Sequence, residues 1–233
     1  MTPAPHEIGV VVPAHDEERR IDACLASLRV AARHPTLQGH RLRVVVVLDA
    51  CSDRTGDRVA RDPDVDIVEV DHRSVGPARS AGFDHLLRAA GVADHRHWLA
   101  TTDADTLVPA DWLARQLEWR RRGADAVAGT VDVRDWSEQP ASVRHHFERH
   151  QRSHGLGFDH PHVHGANLGL SAAAYRAAGG VPHIDRAEDH ALWDAVGAAG
   201  LRRVSAPDLT VITSSRRDGR AAGGFSDLLR SLS

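Results

Sequence analysis

Residues 8–18 have the sequence IGVVVPAHDEE and contain the clearest sign of the fold class. The first five form an unbroken apolar run of strand length, which we predict to end at Pro13, and polar residues follow immediately. Residues 42–48, LRVVVVL, repeat the pattern with β-branched residues throughout the centre. Such short apolar runs are typical of strands buried on both faces, as in a parallel sheet covered by helices.

Helices are predicted between these strands. From Glu17 to Ala32 the apolar residues recur at helical spacing, which indicates an amphipathic helix. The pattern then predicts a short helix from Arg54, a strand over 65–70, a helix over 77–91 with Gly91 at its C-cap, and a strand over 97–102. Strand and helix thus alternate four times within about 100 residues. This alternation predicts an α/β fold, a single Rossmann-like domain with a mostly parallel central sheet covered by helices on both faces.

The second half of the sequence is less regular. We predict a strand over 125–133, a polar, histidine-rich segment over about 138–164, a short strand over 166–171, helices over 172–180 and 187–200, and one or two strands near 202–213. An arginine-rich loop and a short amphipathic tail follow. Because no repeat, linker or low-complexity segment interrupts the sequence, we predict one domain over residues 1–233 with two functional halves.

The composition of the 233 residues excludes several kinds of protein. The net charge is only −3, so nothing indicates a nucleic-acid or anionic membrane partner. No apolar run approaches the roughly 20 residues of a transmembrane segment, and MTPAPHE lacks the basic and apolar regions of a signal peptide. With only two cysteines, we expect a cytoplasmic protein. The sequence contains no lysine, which excludes a P-loop and leaves arginine as the fixed cation that can bind phosphates.

Polar residues follow three of the predicted strands: PAHDE after the first, DACSDRT after the second and DADT after the fourth. The carboxyl ends of parallel strands face one crevice, where ligands bind in such sheets. In this crevice the pair Asp103 and Asp105 has three explanations: ligands of a nucleotide-bound metal, an aspartyl nucleophile with its acid partner, or a solvated turn.

The nucleophile explanation would make the protein phosphatase-like. DADTL also matches the D-x-D-x-T motif of haloacid dehalogenase-type phosphatases, with Asp103 as the nucleophile. Those enzymes carry the motif after their first strand and use a later cation, usually lysine. We therefore favour the metal interpretation.

Taken together, these stretches resemble the inverting glycosyltransferases of family 2, which have the GT-A fold. The resemblance extends from about Ile8 to Leu229 and is carried, in order, by VVVPAHDEE, VVVVLDACSDRT, GPARSAG, DADT, HGANLGLS and AEDHAL. It implies transfer of a sugar from a nucleotide diphosphate sugar, such as a UDP- or GDP-sugar, to an acceptor hydroxyl with inversion at the anomeric carbon. The sequence departs from the family at Asp16, Leu48 and Ser80, where asparagine, aspartate and asparagine are more usual.

The resemblance also implies roles for the matching residues. Residues 1–106 would form the nucleotide-sugar-binding half, and residues 107–233 the acceptor-binding half with a C-terminal lid. Asp105 and Asp103 would hold Mg²⁺ or Mn²⁺, and Asp189 would be the catalytic base. The residues that would contact the nucleotide are Pro13, Ala14, Glu17, Asp49, Arg79, Asp103 and Ala104. The residues that would contact the donor sugar or the acceptor are His164, Gly165, Ala166, Asn167 and Glu188.

Each of these assignments competes with an explanation that involves no substrate. Asp49 ends an apolar strand and could form a turn instead of bonding the base. Arg79 lies near the start of its helix, where an anionic ligand would offset the unfavourable dipole, or it could extend into solvent. Glu188 and Asp189 open a helix, where acids are ordinary stabilisers. The family pattern favours catalysis, since the acidic pair starts 21 positions after Asn167, the only asparagine in the sequence.

Two further segments leave alternatives open. His160, His162 and His164 alternate in FDHPHVHG, as zinc ligands on a strand could, but Pro161 interrupts the strand pattern and we favour a loop at the acceptor mouth. The segment TSSRRDGRAAGGF is either a solvated loop or, as we favour, a lid that closes on the diphosphate through Arg216, Arg217 and Arg220. A retaining mechanism, in which Asp189 only positions substrate, and a binding protein without catalysis remain alternatives.

Overall fold

A computed structural model describes residues 7–89, 97–137, 139–153, 163–184 and 186–216. The first half alternates strand and helix as predicted: β1 (Glu7–Ala14), α1 (Ile21–Ala32), β2 (Arg41–Asp49), α2 (Thr55–Val59), β3 (Val65–Val70), α3 (Val75–Ala89) and β4 (His97–Thr101). The second half contains α4 (Trp112–Arg121), β5 (Ala126–Val133), α5 (Ala141–Ser153), β6 (Leu168–Ser171), α6 (Ala172–Ala177), α7 (Glu188–Ala198) and β7 (Arg203–Thr213). Short 3-10 turns cover Pro35–Leu37 and Gly165–Asn167.

The strands form one seven-stranded sheet in the order β3-β2-β1-β4-β6-β5-β7. β1 pairs in parallel with β2 and β4, β2 with β3, and β5 with β7. Within the described ranges, β6 alone runs antiparallel to its neighbours, β4 and β5. The predicted α/β class and the mostly parallel sheet are therefore confirmed.

Helices cover both faces of the sheet because successive strand residues point to opposite sides. Val10 and Val12 of β1 pack in a core with α1 and α4, whereas Val11 packs in a second core with α3 and α7. A valine or isoleucine fully buried in either core contributes on the order of 1.5–3 kcal/mol. Burial on both faces is the reason the strands appear in the sequence as unbroken apolar runs.

Strand β1 continues through Pro13 to Ala14, so the prediction that Pro13 ends the strand is wrong. The carbonyl of Val11 accepts a hydrogen bond from Thr102 N on the β4 side, and the paired register with β4 ends at Val11. Because backbone groups alternate sides along a strand, Pro13 also faces the β4 side, beyond the last paired residue. The missing N–H of Pro13 therefore removes no hydrogen bond between β1 and β4, and the pairing of β1 with β2 continues to Ala14.

Two predicted helix starts are also displaced. Helix α1 begins at Ile21 rather than Glu17, because the Glu17 carbonyl accepts from both Arg20 N and Ile21 N in a turn before the helix. Helix α3 begins at Val75, two residues before Pro77, since proline is tolerated in a first helical turn. The predicted C-cap at Gly91 lies outside the described residues.

Helix α5 lies within the histidine-rich segment for which no element was predicted. Val143 and Phe147 are buried among the α5 side chains that the structure describes, and the Phe147 ring packs on Trp136 with 5.3 Å between ring centroids. Two apolar residues one turn apart are too few to predict a helix from the sequence. Trp136, on which they pack, lies before the helix and adds nothing to its periodicity. No helix in the described part of the chain is both long and apolar enough to cross a membrane.

Candidate active site

The loops after β1, β2 and β4 meet at the carboxyl edge of the sheet, where parallel strands place their ligand sites. His15 Nδ1 lies 2.6 Å from the carbonyl oxygen of Asp49, and Cys51 Sγ donates to the carbonyl of Ala14 at 3.3 Å. Three small residues expected at the nucleotide are buried at this edge: Pro13, Ala14 and Ala104. The polar segments predicted to converge are therefore brought together.

Asp16 turns the chain after β1 with a left-handed backbone, at a φ of 52°. Its Oδ1 accepts hydrogen bonds from Ser52 N at 2.6 Å and Asp53 N at 3.1 Å, which join the first loop to the second. These bonds, that from Ser52 above all, lower the pKa of Asp16. Aspartate shares asparagine's tolerance of this conformation, so the departure from the family's residue preserves the turn.

The carboxylate of Asp49 is buried and holds the segment that leads into α3. Oδ1 accepts from His72 N at 2.7 Å and Arg73 N at 2.8 Å, and Oδ2 accepts from Ser74 N at 2.9 Å. Asp49 thus resembles a helix cap supplied from a neighbouring strand. The turn-forming explanation therefore has direct support, whereas contact with a base stays a prediction that must use the remaining carboxylate lone pair.

Arg79 is only 5% exposed, so the alternative in which it extends into solvent is wrong. Nη2 donates to Asp103 Oδ1 at 2.5 Å, and Nη1 donates to Glu188 Oε1. The guanidinium lies against Gly165, where an added Cβ would come within 2.2 Å of Arg79 Cζ. One buried cation therefore connects the end of β4 to the start of α7, and this contact requires glycine at position 165.

Arg216, just beyond β7, occupies the other side of the D-x-D motif. It pairs with Glu17 through Nη1 and lies 3.2 Å from Asp105 Oδ2 through Nη2. Ser214 Oγ donates to the same Asp105 oxygen at 2.5 Å. The structure therefore places Arg216 in the crevice, where its partners are carboxylates. The other two arginines of the predicted lid, Arg217 and Arg220, lie outside the described residues.

Asp189 is partly exposed at the start of α7, with one backbone hydrogen bond on each carboxylate oxygen. Oδ2 accepts from Gly165 N and Oδ1 from His190 N, both at 2.8 Å. Each oxygen keeps a further lone pair, so the carboxylate can still accept a proton. His164 is also partly exposed beside Gly165, whereas Gly165 and Ala166 are buried.

Asn167 is fully buried, with an exposed fraction of 0%, and its expected contact with sugar or acceptor stays a prediction. Its Oδ1 accepts from Trp112 Nε1 at 2.9 Å, and its Nδ2 donates to the carbonyls of Thr130 and Leu209, both at 2.8 Å. The pairing of β5 with β7 shifts register between Gly129 and Thr130. The amide therefore bonds two carbonyls at an irregularity of the sheet.

These side chains form one network with an excess of negative charge. Its carboxylates belong to Glu17, Asp103, Asp105, Glu188 and Asp189, and its cations to Arg79 and Arg216. Five carboxylates against two guanidinium groups leave an excess of three negative charges. An excess of this kind at a partly enclosed site favours binding of a cation or a proton.

The pKa shifts follow from this imbalance. Burial raises the pKa of Asp103 and of Glu188, although Arg79 opposes both shifts. Burial also lowers the pKa of Arg79, but Asp103 and Glu188 outweigh it and the pKa of Arg79 rises. Two carboxylates stabilise the charged form of Arg79, whereas Asp103 and Glu188 share the stabilising charge of this one guanidinium.

The residues of the D-x-D motif fit a hard divalent cation. Asp103 and Asp105 supply carboxylate oxygens in a site with excess negative charge, although Arg216 must leave Asp105 Oδ2 before that oxygen can bind a metal. Among the described residues, no three His, Cys, Asp or Glu side chains form a metal-ligating group. Two carboxylates completed by water and phosphates are typical of Mg²⁺ sites on nucleotides. The zinc alternative is untested, because His160 and His162 lie outside the described residues.

Two features of the site were missed in the sequence. The Glu17–Arg216 pair joins residues 199 positions apart, and Ser214 reaches Asp105 across 109 positions. No local spacing can indicate such contacts. The available signal was that hydroxyl and arginine residues follow an apolar strand in TVITSSRR, as polar residues follow β1, β2 and β4.

The family model described as "Glycosyl transferase family 2" matches residues 9–179, from β1 to the residues after α6. The chain belongs to glycosyl transferase family 2. This membership confirms the resemblance and argues against the phosphatase-like alternative, in which Asp103 would be a free nucleophile rather than a partner of Arg79. The match ends before α7, so it does not include Glu188 and Asp189.

Solved structures show the same fold as this family 2 chain. S. aureus TarS 1-349 in complex with UDP-GlcNAc is similar with a TM-score of 0.67 at 14% sequence identity, over 94% of this chain and 61% of that one. The mannosyltransferase PcManGT from Pyrobaculum calidifontis, in complex with GDP-Man and Mn²⁺, has a TM-score of 0.67 at 23% identity, over 94% and 59%. The chain thus spans about three fifths of the length of these proteins. A comparison with curated protein sequences found no match.

Proposed function

We propose that this family 2 protein transfers a sugar from a nucleotide diphosphate sugar to an acceptor hydroxyl, with a divalent cation and with inversion at the anomeric carbon. The observation that carries the proposal is the network of five carboxylates and two guanidinium groups at the carboxyl edge of the sheet. Its excess negative charge would repel a diphosphate unless a cation bound with it. UDP-GlcNAc and GDP-Man, the ligands of the similar structures, are donors of this class.

On the donor side, Asp103 and Asp105 would hold Mg²⁺ or Mn²⁺. When bound, this cation offsets the charge that the leaving diphosphate gains, a contribution of several kcal/mol. Arg216 would exchange its bond with Asp105 for one with the diphosphate, and Arg217 and Arg220 would add to the same lid. The remaining nucleotide contacts would come from the last residues of β1 and β2 and from the loops after β1 and β4, namely from Pro13, Ala14, Glu17, Asp49 and Ala104.

On the acceptor side, Asp189 would remove the proton from the attacking hydroxyl, which typically accelerates such a step by about 10²–10⁴. The backbone bonds from Gly165 and His190 orient its two oxygens and leave a lone pair on each. His164, Gly165 and Ala166 would line the position of the reacting sugar and acceptor. No acid is required on the opposite side, because the nucleoside diphosphate leaves without being protonated.

The proposal is tested by thermal denaturation with UDP, GDP and dTDP, each with and without Mn²⁺. A nucleoside diphosphate at tenfold excess over its Kd should add about 1.4 kcal/mol to the unfolding free energy when Mn²⁺ is present, and much less without it. Asp105→Ala should abolish this difference. Asp62→Ala is the matched control, because it removes a surface partner of Arg29 outside the network. Equal stabilisation of the wild type with and without Mn²⁺ would contradict the metal requirement.

Inversion is tested on the product. With a donor that the thermal experiment identifies, the anomeric configuration is read by NMR before it equilibrates. Inversion fits a single displacement with Asp189 as base, whereas retention would leave Asp189 only to position substrate. Nucleotide binding without any release of nucleoside diphosphate from its sugar donor would favour a binding protein.

A further inference from the structure

The position of Arg79 between the two sides of the site suggests a task other than nucleotide contact. Its two carboxylate partners come from different halves of the chain: Asp103 follows β4 at the D-x-D motif, and Glu188 opens α7 beside Asp189. Because Nη1 and Nη2 are both engaged, the plane of the guanidinium is fixed by two bonds at once. Arg79 thus bridges the D-x-D motif and helix α7, which carries Asp189, and its two bonds set the distance between them.

A second contact leads from Arg79 to Asp189 through Gly165. The guanidinium lies on this residue so closely that an added Cβ would be 2.2 Å from Cζ and 2.3 Å from Nη1. The N–H of the same Gly165 donates to Asp189 Oδ2 at 2.8 Å. Displacement of the guanidinium would therefore disturb the backbone group that orients the carboxylate.

Helix α3 also approaches α7 directly. An added Cβ at Gly76, one turn before Arg79, would lie 3.1 Å from Cγ of Glu188. The start of α3 is in turn held by the three backbone hydrogen bonds to Asp49. Arg79 therefore projects from a helix whose start is anchored to the sheet, toward the helix that it orients.

We infer that Arg79 is a positioning residue that orients the Asp189 carboxylate relative to the D-x-D motif, through Glu188 and through the Gly165 peptide. The inference rests on the proposed function only in that Asp189 is taken as the base. A contact with the diphosphate is the rival assignment. It is a real rival because Arg79 Nε is buried without a hydrogen-bond partner among the described residues.

The test measures the Gly165 amide itself, by NMR hydrogen exchange on the full chain. Asp189→Ala removes the acceptor and sets the exchange rate of an unbonded Gly165 amide. Arg79→Met should bring Gly165 toward that rate, with exchange about tenfold or more faster than in wild type. The amide of Gly169, in β6 nearby, is the internal control and should be unchanged. An unchanged Gly165 amide in Arg79→Met would overturn the inference.

Two further variants keep the test decisive if Arg79→Met folds poorly. Arg79→Lys keeps the charge but cannot form two bonds in one plane, so Gly165 should still exchange faster than in wild type. Arg79→Met combined with Glu188→Gln removes one of the two carboxylates that would lose their cation, and should show the same fast exchange. Wild-type protection of Gly165 in either folded variant would also overturn the inference.

The rival assignment is decided by affinity. If Arg79 acts only by positioning, the Kd for UDP or GDP should change by less than about threefold in the variants. The comparison is made with Mn²⁺ at a concentration that saturates each variant, so that an effect of Arg79 on the metal ligand Asp103 does not enter. A rise of about tenfold or more would make Arg79 a nucleotide ligand and overturn the inference, whatever the Gly165 result. Failure of the wild type to bind any nucleoside diphosphate would instead refute the proposed function, and the exchange measurement at Gly165 would remain valid.

Discussion

Replacement of Asn167 by alanine separates a structural role of this residue from a substrate contact. The fully buried amide makes three hydrogen bonds, with Trp112 Nε1 and with the carbonyls of Thr130 and Leu209. Asn167→Ala leaves three polar groups without these partners at a site closed to water. Each such group costs about 1–3 kcal/mol, so the three together predict a loss of about 3 kcal/mol at the least.

The assay is urea denaturation followed by circular dichroism, together with the melting temperature. For a domain of this size, a loss of about 3 kcal/mol corresponds to a melting temperature lower by about 6–12 °C. Thr210→Ala is the matched control, since its hydroxyl makes one bond of 2.8 Å to Thr130 Oγ1 at the same irregularity of the sheet. That variant should lose only about 1 kcal/mol.

The binding measurement completes this test. Below its melting temperature, Asn167→Ala should bind nucleoside diphosphate with Mn²⁺ as wild type does, because the amide faces the core. A variant within about 1 kcal/mol of wild-type stability would refute the structural role. A variant of normal stability that no longer binds donor would show that Asn167 contacts substrate.

Three other variants test the proposed roles in the site. Asp105→Ala should abolish the Mn²⁺-dependent stabilisation by nucleotide, as followed by thermal shift, and unchanged stabilisation would mean that the metal lies elsewhere. Asp189→Asn should keep the donor Kd and lower kcat by about 10² or more, measured as release of nucleoside diphosphate; near-normal turnover would remove Asp189 from the role of base. Asp49→Ala should weaken nucleotide binding and change the preference among UDP, GDP and dTDP, because Asp49 would accept a hydrogen bond from the base. An unchanged preference would leave Asp49 only its role at the start of α3.

The arrangement of the fold could be predicted from the sequence because its signals are local. Each buried parallel strand leaves an apolar run, and each run ends in polar residues at the same edge of the sheet. Helix α5 escaped prediction because its few apolar residues pack on Trp136, which lies outside the helix. Pro13 was misjudged because its tolerance depends on where the neighbouring strand β4 stops pairing.

Individual residues of the candidate site could be proposed from the sequence, but the contacts between them could not. Asp103, Asp105 and Asp189 belong to motifs, and motifs are visible in a sequence. Arg79 was left between ligand and solvent because its burial depends on two carboxylates that are distant along the chain. Asn167 was rightly expected to make specific hydrogen bonds, but whether the partners belong to substrate or to protein depends on packing that no local pattern records.

Glu188 shows why pH provides a test of this network that is independent of any substrate. Burial raises its pKa above the ordinary value of 4.5, with Arg79 as the main opposing influence. A carboxyl whose pKa is higher in the folded state binds more protons there than in the unfolded chain. Its contribution to stability is therefore full below the unfolded pKa and is lost as pH rises through the folded pKa.

Glu188→Gln isolates this effect, because glutamine keeps the shape of the side chain but does not titrate. The unfolding free energy of wild type minus that of Glu188→Gln should fall as pH rises from below the ordinary glutamate pKa of 4.5, as measured by urea denaturation at a series of pH values. A difference that rises over the same range would mean that Arg79 outweighs burial at Glu188. If the fall is observed, the wild-type chain retains at neutral pH a carboxyl whose ionisation opposes folding. Retention of such a group is expected where charge serves a site rather than stability, and here that charge holds Arg79 beside Asp189.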